Sequence, residues 1–195
     1  FFKAINNYLV TNKFKSAEAH QLRLAFEEVT GRDLNWFFNQ WYFSNGHPTV
    51  DIDYVYDDAA GKATVIVKQT QKTGKYFKLP MAIDVYQGAA KTRYNVWANN
   101  AIDSFTIPYT KRPDLINVDG DKVMLWSKKD NKNLDNYIHQ YKYAGSYLDR
   151  KEAIDYAATK ADDPKAVELI RTALNDKYHG LRSYTIGKKK KKKEG

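Results

Sequence analysis

Histidine, carboxylate and hydroxyl side chains are where chemistry would have to begin in this chain, because it contains no cysteine. Only four histidines occur, His20, His47, His139 and His179, and no two of them stand three or four residues apart. Metal ligands on one helix face must recur at about 3.6 residues, so the paired imidazoles of a His-Glu-x-x-His zinc site are missing. Glu27 and Glu28 are adjacent carboxylates. Neighbours on a helix diverge by about 100°, which makes them solvated or ion-paired side chains and not an acid/base couple. No serine lies in a Gly-x-Ser-x-Gly setting, and no glycine-rich phosphate loop is present. Tyr137, Tyr141, Tyr143 and Tyr147, with Lys142 and Arg150, could form a base-stacking platform with cations. Their helical spacing is explained more simply by packing between elements. No catalytic residue and no metal ligand is assigned.

The elements that would position these groups fall into three stretches. Through residue 47 the apolar period is helical: Ala19, Leu22, Phe26 and Val29 form a stripe with Ser16 as its N-cap and Gly31 as the left-handed residue that ends it. Asp33 then caps a helix whose Leu34, Phe37, Phe38 and Trp41 make an apolar face, and Gly46 and Pro48 terminate it. Trp36, Phe37 and Trp41 are expected to be core anchors. At Thr49 the period shifts to two. Val50, Ile52 and Tyr54 alternate with Asp51 and Asp53, a second run surrounds Val65 and Val67, and five more follow at 81–86, 93–98, 104–107, 115–118 and 122–126. Seven short strands separated by turn residues predict an antiparallel β-sandwich, with Asp119-Gly120-Asp121 as a hairpin turn.

After Lys128 the helical period returns in three stripes: Leu134, Tyr137, Ile138 and Tyr141; Ala153, Ile154 and Ala157; Val167, Ile170 and Leu174. Asp163-Pro164 opens the last helix. Such short helix pairs resemble the start of an α-solenoid. The fold class is thus α+β in several parts: helices over 1–48, a sandwich over 49–128, helices over 129–187 and a lysine-rich tail over 188–195. The formal charge of +9 is concentrated in that tail: residues 188–195 hold six lysines and Glu194, so the remainder carries +4. The tail is low in complexity and self-repelling, which predicts disorder, and a mildly basic body does not indicate a nucleic-acid or membrane partner. No apolar run approaches the roughly 20 residues of a membrane-spanning helix.

Residues 26–48, FEEVTGRDLNWFFNQWYFSNGHP, are similar to the segment that closes the thermolysin-like domain in zinc aminopeptidases of the gluzincin type, the aminopeptidase N family. The sequel continues the likeness through VDIDYVYD, VIVKQTQ, Phe77-Lys78-Leu79-Pro80, the run from Pro113 to Asp119 and YLDRKEAID, covering residues 1 to about 155. The resemblance implies that residues 1–48 are the last helices of a catalytic domain, followed by a β-sandwich and a helical superhelix. It also implies that the zinc ligands, the general-base Glu, the Gly-x-Met-Glu-Asn loop and the tyrosine of the tetrahedral intermediate all precede Phe1. What transfers to this sequence is structural: Gly31, Asp33, Trp41, Gly46 and Pro48 as the exit from that domain.

The expectation is therefore a non-catalytic C-terminal piece of a zinc-dependent aminopeptidase that removes N-terminal residues from peptides. It begins within a helix and without Met, carries no cofactor itself, and takes the rest of its own polypeptide as partner. An inactive homologue serving as an interaction scaffold and a polyanion-binding module acting through the tail are the alternatives. The lack of cysteine suits cytoplasm or periplasm alike.

Overall fold

The computed structural model describes residues 1–191, with seven helices and two sheets among them. By its internal contacts the chain divides into two compact units, Phe1–Gly46 and His47–Gly195.

The first unit holds α1 (Phe2–Asn12), α2 (Ala19–Thr30) and α3 (Asn35–Trp41), of which α1 and α2 pack together. The N-cap of α2 is Glu18 and not Ser16. Glu18 and Gln21 form a reciprocal capping box that satisfies two orphan amides, which a lone serine two residues earlier cannot do. Gly31 ends α2 at φ +64°, and its N–H donates to the Glu27 carbonyl at 2.8 Å. Of the aromatic face expected to anchor a core, only Phe38 is buried. Phe37 is exposed, and Trp36 and Trp41 are half-buried. A helix of seven residues turns only one stripe inward, and here that stripe is narrow.

The second unit begins with the strands. A four-stranded sheet has the order β5 (Ile102–Pro108), β2 (Lys62–Gln69), β1 (Thr49–Asp57), β7 (Ser127–Asp130); a three-stranded sheet has the order β4 (Ala90–Ala98), β3 (Leu79–Gln87), β6 (Leu115–Val118). Val50 and Ile52 on β1, and Ala63, Val65 and Val67 on β2, are fully buried, while the residues between them are more exposed. That is the period-two signature of strands with one face inside. β3 lies centrally in its sheet and is buried over Met81–Tyr86 on both faces.

Two expectations fail at the same place. Residues 122–126 are not a strand; the seventh strand is Ser127–Asp130, and it pairs with β1 in parallel, so the sheets are not wholly antiparallel. Asp119-Gly120-Asp121 is no hairpin turn either, since β6 pairs with β3 and the chain then leaves for the other sheet. The left-handed residues are Asp119 (φ +55°) and Lys122 (φ +54°), not the glycine. Asp119 holds this bend by accepting from the amides of Val123 and Met124 at 3.0 and 3.1 Å. Gly120 is required for close approach: a Cβ there would sit 2.6 Å from Cγ of Asp84, a buried carboxylate gripped by Arg93 at 2.6 and 2.8 Å.

The remaining helices are α4 (Leu134–Tyr143), α5 (Tyr147–Thr159), α6 (Pro164–Ala173) and α7 (His179–Lys191). The side chains of Asn133, Ser146 and Asp163 cap the first three. Their core comprises Tyr137, Ala153, Ile154, Ala157, Ala166, Leu169, Ala173 and Leu181. The buried stripe of α6 is thus Ala166, Leu169 and Ala173, and Val167 of the expected stripe is exposed. Alanines win the inward positions because they let α6 approach the alanines of α5 closely. The tail expectation also changes. Helix α7 runs into the lysine run, and Lys188 pairs with Asp155 at 2.6 Å, so its charge is compensated locally; residues 192–195 lie outside the described residues. Among the described residues no helix is long and apolar enough to cross a membrane.

Candidate functional site

A cluster of buried ionisable groups lies where strands β1, β6 and β7 meet helices α4 and α5. Asp149, in the first turn of α5, is fully buried. Its Oδ1 accepts from Nδ2 of Asn117 on β6 and from Nζ of Lys122, both at 2.9 Å. The second group centres on Asp130 of β7, which meets Nζ of Lys132 at 3.0 Å, Nζ of Lys128 at 3.4 Å and the Tyr54 hydroxyl, donating at 2.8 Å. Gln140 links the two groups: it accepts from Lys132 and donates to the Asp149 carbonyl at 3.0 Å and to Glu152 at 2.9 Å. Lys128 closes the array on Glu152 at 2.9 Å.

Burial alone would raise the Asp130 carboxyl, but the ammonium groups of Lys132 and Lys128, with the bonds from Lys132 and Tyr54, outweigh it and hold the carboxyl below its usual range. Lys128 shows the converse: burial would lower it, and Asp130 and Glu152 raise it instead. Burial wins at Lys132, lowering it despite Asp130. The Lys122 and Asp149 side chains are 5% and 0% exposed, and those of Lys132 and Asp130 are 1% and 4% exposed. These four groups are shut away from water, and each is paired through at least one atom, although Oδ2 of Asp149 has no hydrogen-bond partner among the described residues. Chemically the array is a clamp between sheets and helices.

A second set of polar groups lies beside two cavities bordered by α4, α5 and α6. Asp176, before α7, accepts from the Tyr141 hydroxyl at 2.7 Å and from the Tyr178 amide at 2.8 Å, with Nη1 of Arg150 3.4 Å away. Burial first, then the hydrogen bond to Asp176, pushes the Tyr141 hydroxyl upward, so it remains a donor. Arg150 borders two cavities. One, of about 720 Å³, has Ile138, Tyr141 and Leu169 on its walls and Lys142 and Lys165 among its charges. The other, of about 560 Å³, is lined by Tyr147, Arg150, Lys177 and Tyr178. Of the tyrosines considered as a platform, Tyr137 packs inside, stacked on Tyr156 at 4.3 Å between ring centres, whereas Tyr147 stands exposed.

The residues singled out from sequence are dispersed. Gly31 and Asp33 flank the turn from α2 to α3, where Asp33 accepts from the Asn35 amide at 2.8 Å. Glu27 ties the same turn together by pairing with Arg23 at 2.7 Å and accepting from the Leu34 amide at 2.8 Å. Gly46 is left-handed at φ +86°. Pro48, in the second unit, is buried, and its carbonyl accepts from the Ser127 amide at 3.0 Å. None of these side chains is arranged for chemistry.

Nor do the histidines fit zinc. Nε2 of His139 donates to the Gly88 carbonyl at 2.8 Å, and His20 lies against the Phe43 ring. Nε2 of His47 stands 3.3 Å from the Ser127 hydroxyl, but both side chains are exposed and water competes for each. Among the described residues no three His, Cys, Asp or Glu side chains are grouped as a metal site.

No protein-family model matches the sequence, and no curated protein does. Among solved structures the chain is similar to aminopeptidase A of Legionella pneumophila, determined in complex with aspartic acid: TM-score 0.71 and 13% identity, over 89% of this chain. It spans 22% of that protein's chain. The likeness shows an aminopeptidase-like fold.

Two measurements test the clamp. Lys122→Met leaves Asp149 as an uncompensated buried charge and is expected to lower unfolding free energy by about 3–5 kcal/mol. Adding Asp149→Asn should restore most of that loss in urea unfolding; an unrecovered double variant would mean that the pair is not the source. A carboxyl whose folded-state value lies below its unfolded one stabilises the fold above the unfolded value and loses that contribution as pH falls through the folded one. Asp130→Asn should therefore flatten the loss of stability as pH falls below the ordinary carboxylate range. Parallel curves for the two proteins would refute the role given to Asp130.

Proposed function

We propose that this chain is a non-catalytic C-terminal portion of a zinc-dependent aminopeptidase, one that removes N-terminal residues from peptides, and that it braces the catalytic domain. The observation that carries this reading is the likeness of 89% of the chain to a 22% share of an aminopeptidase. On this reading residues 1–48 close the thermolysin-like domain, the two sheets form the β-sandwich that follows it, and helices α4–α7 begin the helical superhelix.

The surface of the first unit supports the same reading. Leu9, Val10 and Leu24 are 59%, 56% and 53% exposed, and Tyr42 and Phe43 are 62% and 49% exposed, in a unit whose buried apolar residues are Ala4, Ala25 and Phe38. Apolar area left in water on this scale marks a surface made to be covered. At about 25 cal/mol per Å² of apolar surface removed from water, covering it would help hold the unit to whatever it meets. On this reading the covering body is the rest of that catalytic domain, which also carries the zinc.

The test is made on the 195-residue chain and on the reading frame upstream of it. The chain alone should bind no stoichiometric zinc and leave aminoacyl reporter substrates intact, and the upstream frame should encode His-Glu-x-x-His. One tightly held zinc per chain, hydrolysis by the chain alone, or an upstream frame without that motif would each overturn the proposal.

A further inference from the structure

We infer that the cavity bounded by Tyr147, Arg150, Lys177 and Tyr178 is a binding site for an oxyanion carried on a planar ring, an aryl carboxylate or an aryl phosphate. This site is independent of the aminopeptidase reading and lies on α5 and the segment leading into α7.

Charge comes first. The lining residues comprise two cations and two tyrosines, and the one carboxylate against them is the buried Asp176, 3.4 Å from Nη1 of Arg150 and bonded to the Tyr178 amide. Arg150 is the less exposed cation of the pair, its side chain 11% exposed, and is under-bonded. Its Nη1 faces Asp176 at 3.4 Å, beyond the 2.7–2.9 Å usual for a charge-assisted bond, and its buried Nε finds no acceptor among the described residues. A guanidinium presents five donors in a rigid fork matched to carboxylate and phosphate oxygens. Tyr147 lies in the first turn of α5, so the positive end of that helix dipole adds to the same field.

The ring follows from the walls. Tyr147 and Tyr178 are 43% and 44% exposed and meet edge to face at 5.8 Å between centres. Exposed tyrosine rings set at right angles present one face and one edge to a third ring, the geometry in which aromatic groups attract.

Both walls are fixed before any ligand arrives. Ser146 caps α5 by accepting from the Asp149 amide at 3.0 Å. Asp176 holds the Tyr178 amide at 2.8 Å, and its own carbonyl accepts from Arg182 at 2.7 Å. Gly180 supplies the space for the Tyr178 ring: a Cβ there would lie 2.6 Å from Cε1 and 3.0 Å from Cζ. A site built this way orders little on binding, which favours affinity.

The experiment is a heteronuclear NMR titration of the whole chain with phenyl phosphate, benzoate and inorganic phosphate. The Arg150 Nε–H resonance and the amides of Tyr147, Lys177 and Tyr178 should shift together and saturably. Phenyl phosphate should bind more tightly than inorganic phosphate, and its rank against benzoate tells which oxyanion the site takes. Arg150→Lys keeps the charge but loses the fork, and should weaken phenyl phosphate about tenfold, the loss expected for one charge-assisted contact. Lys177→Glu changes an exposed residue without touching the core, and should weaken it at least as much. Tyr178→Leu should erase the preference for phenyl phosphate over inorganic phosphate. No saturable shift with any probe, or unchanged affinity in Lys177→Glu, would overturn the inference.

Discussion

Lys122 and Lys132 meet Asp149 and Asp130 out of bulk water at the junction of strands and helices, with Lys128 and the partly exposed Glu152 at the margin, and the rest of the second unit is arranged around that meeting. Taking an ion pair out of water costs several kcal/mol per ion, and the attraction between partners repays this only when geometry and hydrogen bonding are nearly complete. Tyr54, Asn117 and Gln140 supply further hydrogen bonds, each from a different element, and leave Oδ2 of Asp149 as the array's buried acceptor without a partner among the described residues. The array therefore contributes less to total stability than to selecting one arrangement. A slip of β7 by one residue against β1 would carry Lys128 and Asp130 to the opposite face of the sheet and leave their partners buried and unmatched.

This constraint explains where sequence patterning succeeded and where it did not. The alternation at Val50 and Ile52, the helical stripe at Ala153, Ile154 and Ala157, and the left-handed Gly31 are each set by local chemistry, and all three are visible in the residues alone. The run SKKDNK over 127–132 reads as solvated polar sequence, yet it holds β7 and half the clamp. Its Lys128, Asp130 and Lys132 recur at period two, a signal of one strand face, but a charged face is ordinarily assigned to water. Only the tertiary partners reveal that it is the buried one. The apolar alternation over 122–126 misled in the opposite direction: Val123 and Leu125 are exposed because Lys122 is drawn inward to Asp149 and the bend at Asp119 is fixed by its own carboxylate. The Arg150 cavity was partly legible, since Tyr147 and Arg150 stand one turn apart, but Lys177 and Tyr178 come from a distant stretch.

The same physics bears on function. A junction whose ionic groups pair strands with helices is suited to transmit position. The proposed bracing role needs that property, for a brace that deformed would not fix the domain it supports.

Native-state hydrogen exchange of the whole chain tests most directly the claim that strands and helices are locked together. Amides of β1 and β7, such as those of Ile52 and Asp130, and amides of α4 and α5, such as those of Gln140 and Ala153, should exchange through one opening of common free energy and common dependence on denaturant. Helices that opened separately from the strands, at lower free energy and with a smaller denaturant dependence, would contradict it.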